Sequence, residues 1–393
     1  MAVDRLERGA PAAAIDRAFL LATLRDLVRI NSINPTLVPG GAGEAEIGDY
    51  VARTLAAIGL EARKHEPEPG RVSVAGVLRG SGGGRSLMLN AHYDTVGVEG
   101  MAEPFSGAVR DGKLYGRGAY DMKGSLAAQM AAAKALAGAG LRGDIVVAAV
   151  ADEEYGSVGT ADLIPRYKVD AAIVTEPTAL RVCLAHKGYV WIEVTVEGRA
   201  AHGSRFDLGV DANMRMGRLL AALEALEHDL RTRPPHPLVG PPSLHAATLS
   251  GGTGLSTYAA SSTLCIERRT VPGETAESAT AEIEAIVRRL AGSDLSFRAA
   301  VRTFFARDPF EASRESPIVR ALAGAAETVL GRGPQYFGDT PWMDAALLAA
   351  AGVDTVVIGP AGAGAHAVEE WVEVESVVSL AEILVRAASE YCG

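Results

Sequence analysis

The stretch Leu87-Met88-Leu89-Asn90-Ala91-His92-Tyr93-Asp94 decides how the rest of the chain reads, because an apolar run ends abruptly in a histidine and an acid. Short apolar runs of this kind read as buried strands. The pattern recurs. Ile145-Val146-Val147-Ala148-Ala149-Val150 leads into Asp152-Glu153-Glu154, and Ala171-Ala172-Ile173-Val174 leads into Glu176. Thr355-Val356-Val357-Ile358 leads through a Gly/Ala loop to His366. A further acid, Asp121, stands within Gly116-Arg117-Gly118-Ala119-Tyr120-Asp121-Met122-Lys123-Gly124, ahead of an Ala-rich helical stretch. Ligands in open α/β sheets gather beyond the carboxyl ends of the strands. Five or more metal-type ligands at one sheet edge point to a dinuclear metal hydrolase.

At 393 residues the chain exceeds one ordinary core, so two domains are expected. Its 48% hydrophobic and 22% charged residues are those of a soluble globular protein. The net charge of −10 argues against a nucleic-acid partner, which needs a clustered basic surface. Bound cations could neutralise part of that excess. Cys183, Cys265 and Cys392 are odd in number and widely spaced, so neither a disulfide framework nor a thiolate zinc site is indicated. Met1-Ala2-Val3-Asp4-Arg5-Leu6-Glu7-Arg8 lacks a basic segment followed by an apolar core, and no apolar run reaches the roughly 18–20 residues that span a bilayer. No membrane partner and a cytoplasmic location are therefore expected.

Helical spacing marks 15–30 and 46–59, after which strand-like runs alternate with helices to about 185, as in βαβ units around a largely parallel sheet. The Gly80–Gly84 cluster lacks a following Gly-Lys-Ser/Thr and reads as a loop turn rather than a phosphate loop. At Trp191-Ile192-Glu193-Val194-Thr195-Val196-Glu197 the pattern changes to strict alternation, the mark of a strand with one wet face. Helices near 210–230 and 274–291 and strands near 244–250, 261–269 and 295–303 follow, with a Pro-rich loop at 233–237. The expected class is α/β: a mostly parallel-sheet catalytic domain in two parts, 1–189 and 304–393, around an inserted two-layer α+β domain at 190–303. A closing helix is expected near 375–390.

The residues also read as chemistry. His92 and Asp94 are two apart and project to the same side of an extended segment. Asp94 suits either direct ligation or support of the imidazole, since a metal-bound histidine usually gives its other N–H to a carboxylate or carbonyl. Glycines before Asp121 let backbone approach a crowded centre, and its carboxylate enters at a helix start, where the dipole favours negative charge. Glu153 and Glu154 are adjacent and point differently, so one can hold metal while the other serves as general base. Glu176 is stiffened by Pro177, and His366 adds a second nitrogen. Nitrogen and carboxylate donors without thiolate suit Zn²⁺, with Mn²⁺ or Co²⁺ as substitutes. Taken singly, a glutamate after a strand is usually a cap or a solvated turn. The repetition at strand ends that otherwise contain almost no polar groups favours the metal reading.

In order along the chain, His92-Tyr93-Asp94-Thr95-Val96, Leu114 to Gly124, Asp152-Glu153-Glu154, Thr175-Glu176-Pro177-Thr178, Ala201-His202-Gly203-Ser204, Arg268 to Glu274 and Gly364-Ala365-His366-Ala367 form a set of seven motifs. Together they resemble the dinuclear zinc amidohydrolases that include acetylornithine deacetylase, succinyl-diaminopimelate desuccinylase, aminoacylase and glutamate carboxypeptidase. The resemblance implies two Zn²⁺ per subunit, with Asp121 bridging, His92 and Glu176 completing one shell, and Glu154 and His366 the other. It implies Asp94 as the partner of His92, Glu153 as general base and a cis peptide after Asp121. The insert would be the family's lid, commonly the contact of a homodimer. His202 would stabilise the oxyanion, in some members from the neighbouring subunit, and Arg269 would bind the substrate carboxylate. The chain departs from the family at Gly254-Leu255-Ser256-Thr257-Tyr258-Ala259, where relatives carry an Asn and a Pro after the Gly-Gly, and at Phe206, where Pro is common.

The expected activity is therefore hydrolysis of the amide bond of N-acyl amino acids by a metal-activated water, with Glu153 as general base. A dipeptidase or glutamate-carboxypeptidase-like peptidase is the nearest alternative. A non-catalytic metal-dependent binding protein is the alternative of another class, and a pure binder would have no need of Glu153.

Overall fold

A computed structural model describes residues 14–393, so Met1–Arg8, read above for a leader segment, lies outside the described residues. Two compact units emerge. One takes in the chain up to Leu184 with Ala312–Tyr336 and Met343–Gly393, and the other comprises Ala185–Glu311 with Phe337–Trp342.

The first unit is built on a sheet whose strands run in the order Glu61–Glu68, Arg71–Leu78, Ile145–Val150, Leu87–His92, Ala171–Val174, Asp354–Val357 and Val182–His186. Its centre is parallel: Leu87–His92 pairs with Ile145–Val150 on one side and Ala171–Val174 on the other, and Ala171–Val174 pairs with Asp354–Val357. The flanks are antiparallel, which the expectation of a largely parallel sheet did not include. Strands Leu87–His92, Ile145–Val150 and Ala171–Val174 are buried along their whole length, as strands covered on both faces should be. The polar run Glu61–Glu68 forms the edge strand and is largely exposed, so it carries no apolar signal in the sequence. Helix Gly124–Leu136 is Ala-rich and buried on nearly every side, and it packs against Val374–Cys392. That packing fixes the segment just before it, which holds Asp121.

In the second unit four antiparallel strands run in the order Ser243–Gly251, Ser261–Thr270, Gly188–Glu197, Arg298–Arg307. Alternation is realised as read: Val190, Ile192, Val194 and Val196 turn inward with Leu264 and Ile266, against Met216, Leu219 and Leu223 of helix Ala212–Thr232 and Ile283 and Ile286 of helix Ala276–Ser293. Each helix starts on a side-chain cap. Asp211 accepts from Asn213 N and Met214 N, and Thr275 from Ser278 N. The last strand begins at Arg298 rather than 295, because Asp294 closes a turn onto Ser296 N at 2.8 Å and Phe297 drops into the core. Among the described residues no helix is long and apolar enough to cross a membrane.

Candidate metal centre

The parallel strands deliver their carboxyl ends to one edge. His92 is the last residue of its strand, opposite Val150 in register. Asp152 follows Val150 by two residues in a left-handed conformation (φ 68°), and beyond it Glu153 stands with Glu176 and Glu154 with Asp121. Glu176 follows Val174, and the loop after Val357 reaches His366, itself at φ 60° after Gly364 at φ 87°. Asp121 precedes the Ala-rich helix, and the Asp121–Met122 peptide is cis.

His92, Asp121, Glu154, Glu176 and His366 converge with Glu153. One Asp121 oxygen stands 3.1 Å from His92 Nε2 and the other 3.5 Å from His366 Nε2, so a single carboxylate lies between the two imidazoles. His366 Nε2 is 3.0 Å from Glu154 Oε2, and His92 Nε2 is 3.7 Å from Glu176 Oε1. Two ligand-type groups result: His92 with Asp121 and Glu154, and His92 with Glu153 and Glu176. Glu153 Oε2 is 4.0 Å from His92 Nε2. Asp94 faces His92 Nδ1 chiefly through its backbone carbonyl, at 3.0 Å, with its carboxylate at 3.6 Å. That carboxylate is occupied elsewhere: it accepts the backbone N–H groups of Glu153 (3.1 Å) and Glu154 (3.3 Å) and the amide of Asn34 (2.9 Å).

His202 and Arg269 belong to the second unit. His202 Nδ1 lies 2.8 Å from Ser204 Oγ in an exposed loop bridged to Thr257. Arg269 donates to Glu267 at 2.7 Å and stands over the Tyr189 ring at 5.1 Å.

Sequence reading missed the supports. Glu370, four residues past His366 and almost fully buried, accepts the N–H groups of Gly118 (3.0 Å), Tyr120 (2.9 Å) and Asp121 (3.0 Å) and the guanidinium of Arg117 (2.7 Å). An acid shortly after the last motif was the only available signal. Asn34 also donates to Asp152 (3.0 Å), which pairs with Arg71 (3.0 Å), and Arg71 pairs with Glu44 (2.6 Å). Asp344, buried beside Thr160, adds negative charge near Glu153 and Glu176.

The electrostatics fit a cation pair. Burial pushes the Glu153 carboxyl well above its usual range, reinforced by the charge on Glu176. Burial does the same to Glu176. Burial opposes charging of His92, yet its hydrogen bond with Asp121 and the charges of Glu176 and Glu153 hold it well above its usual range. Hydrogen bonds to Asp121 and Glu154 raise His366 to about 10. The cluster thus holds protons it would exchange for divalent cations, since metal ligands must be deprotonated. Two nitrogens and several carboxylates without thiolate suit zinc-type ions.

The sequence pattern of peptidase family M20/M25/M40 matches residues 88–390. The chain is 31% identical over 389 residues to acetylornithine deacetylase of Myxococcus xanthus, covering 95% of this chain and 98% of that protein. This chain belongs to peptidase family M20/M25/M40. It is a metal-dependent amidohydrolase. N-formyl-4-amino-5-aminomethyl-2-methylpyrimidine deformylase of Bacillus subtilis is 28% identical, with 91% and 92% covered. The fold is shared with aminopeptidase PepT from Bacillus cereus at a TM-score of 0.79 and 20% identity, covering 96% of this chain and all of that one (100%).

Proposed function

We propose that this M20-family chain removes a short acyl group from an N-acyl amino acid, with Glu153 as general base. The observation that carries the reading is the Asp121 carboxylate between the Nε2 atoms of His92 and His366, with Glu153 beside the first of them. Asp121, His92 and Glu176 would hold one cation, and Asp121, Glu154 and His366 a second, with Zn²⁺ the best match to the donors. Bound there, the cations would lower the pKa of water and polarise the amide carbonyl.

The chain's own residues do the rest. Glu153 accepts a proton from the water that adds to the carbonyl carbon, and returns it to nitrogen as the C–N bond breaks. The products are a carboxylic acid and an amino acid. Asp94 holds Glu153 in place through its backbone N–H. His202 would donate to the oxyanion, from the partner subunit if the chain is a homodimer. Arg269 would take the substrate's carboxylate through guanidinium nitrogens other than the Nε that Glu267 holds. Edge strand Ser243–Gly251, exposed from His245 onward, supports the homodimer. Both curated relatives are named for removing a small acyl group, acetyl in one and formyl in the other, which favours a deacylase over a dipeptidase.

The test is a panel of formyl-, acetyl- and succinyl-amino acids run beside dipeptides on zinc-restored enzyme. Preferential turnover of acyl-amino acids is expected. A preference for dipeptides, or turnover indifferent to chelation, contradicts the reading.

A further inference from the structure

The metal centre lies past the carboxyl ends of strands Leu87–His92 and Ile145–Val150. A second cavity lies at their other ends, bordered by Ser86, Asp144 and Val169, residues one or two positions before these strands and Ala171–Val174 begin. A six-residue strand at about 3.3 Å per residue puts it roughly 17–20 Å from the metal ligands. Its volume is about 610 Å³, within the range of small-molecule sites.

Its lining runs against the charge of the whole protein. In a chain of net charge −10, the wall carries Arg63, Arg79, Arg142, Arg166 and Lys168 against two carboxylates, Glu61 and Asp144. Both carboxylates are already taken up by one guanidinium: Arg79 pairs with Asp144 at 2.7 Å and Glu61 at 3.1 Å. Arg166 is held by Asp162 at 2.8 Å, and Arg142 donates to the Gly83 carbonyl at 3.0 Å. Among the described residues Arg63 and Lys168 make no ion pair, so their charge faces the cavity uncompensated. The field is felt inside: burial first, then the charges of Arg166 and Arg63, hold the His65 imidazole below its usual range. Gly82–Gly84 complete the wall. Glycine is required at Gly84, where a Cβ would stand 2.4 Å from Gly143 N and 2.6 Å from the Cys392 carbonyl.

We propose that this cavity binds a small anion carrying two or more phosphate or carboxylate groups. Guanidinium forks suit both groups, and the volume exceeds what a single phosphate or carboxylate group fills. The site is independent of the hydrolytic reading above.

Isothermal titration of the zinc-loaded full chain with pyrophosphate, and separately with tricarballylate, at fixed ionic strength tests it. The comparison is with R63A/K168A. Any removal of zinc by the anion is common to both proteins, so the difference between them is what counts. At least one anion is expected to bind the unaltered chain tenfold or more tighter than the variant, and which one does so separates phosphates from carboxylates. Unchanged affinity in the variant, or no binding to the unaltered chain beyond that in sodium chloride, overturns the proposal. Unaltered hydrolytic activity of R63A/K168A checks that it is folded. If it is not, Arg63→Gln alone replaces it, with the same two outcomes.

Discussion

The carboxylate of Glu370 accepts the backbone N–H of Asp121 at 3.0 Å, and its other oxygen takes Arg117 at 2.7 Å. A buried acid that touches none of the candidate ligand side chains thereby fixes the loop from which the central carboxylate projects. In Glu370→Gln one oxygen becomes an amide nitrogen facing donors. Supports of this kind are worth about 10–100-fold in metal affinity. Titration of the metal-free protein with zinc is expected to show a loss of that size, with secondary structure intact by circular dichroism. Unchanged affinity would remove Glu370 from the account.

Glu153 lies close enough to His92 and Glu176 to be a ligand, yet it is assigned as the base. Glu153→Gln separates the two roles. The kcat should fall by about 10²–10⁴-fold while two cations per chain remain. A matching fall in metal content would make it a ligand.

The protons held by the metal-free cluster set a pH dependence. His366 is raised from 6.5 to about 10, so its contribution to stability is complete below about pH 6.5 and is lost as pH rises towards 10. The raised carboxyls of Glu153 and Glu176 act in the same direction from lower pH. Relative to His366→Gln, which leaves the opposite effect of Lys123 (lowered to about 7) unchanged, thermal midpoints of the metal-free protein should therefore fall between pH 6.5 and 10, and zinc affinity should rise over the same interval. Midpoints that climb across it relative to that variant would contradict the arrangement.

Strand Ser243–Gly251 has one free side in its sheet. If it is the homodimer contact, Leu249→Lys, at a side chain 55% exposed, should shift the mass measured by light scattering to that of a monomer. A monomeric unaltered chain would contradict the homodimer.

Of the candidate ligands, His92, Glu154 and Glu176 were legible because each closely follows an apolar run, where a polar residue stands out from its neighbours, whereas Asp121 and His366 stood out within Gly/Ala-rich loops. Strand Gly188–Glu197 was legible through its period of two. The hairpin Glu61–Glu68 with Arg71–Leu78 was not: its edge strand is polar and solvated, so no periodicity marks it. Glu370, Asn34 and Arg71 escaped for another reason. They act on backbone N–H groups and on other acids across more than a hundred residues of sequence, or dozens in the case of Arg71, and only the fold brings such partners together.

Anomalous X-ray scattering at the zinc edge from crystals of zinc-loaded enzyme tests the central claim most directly. Two peaks about 3.5–4 Å apart are expected, one on each side of the Asp121 carboxylate, the first touching His92 and Glu176 and the second Glu154 and His366. A single peak, or a pair that leaves Asp121 untouched, would contradict it.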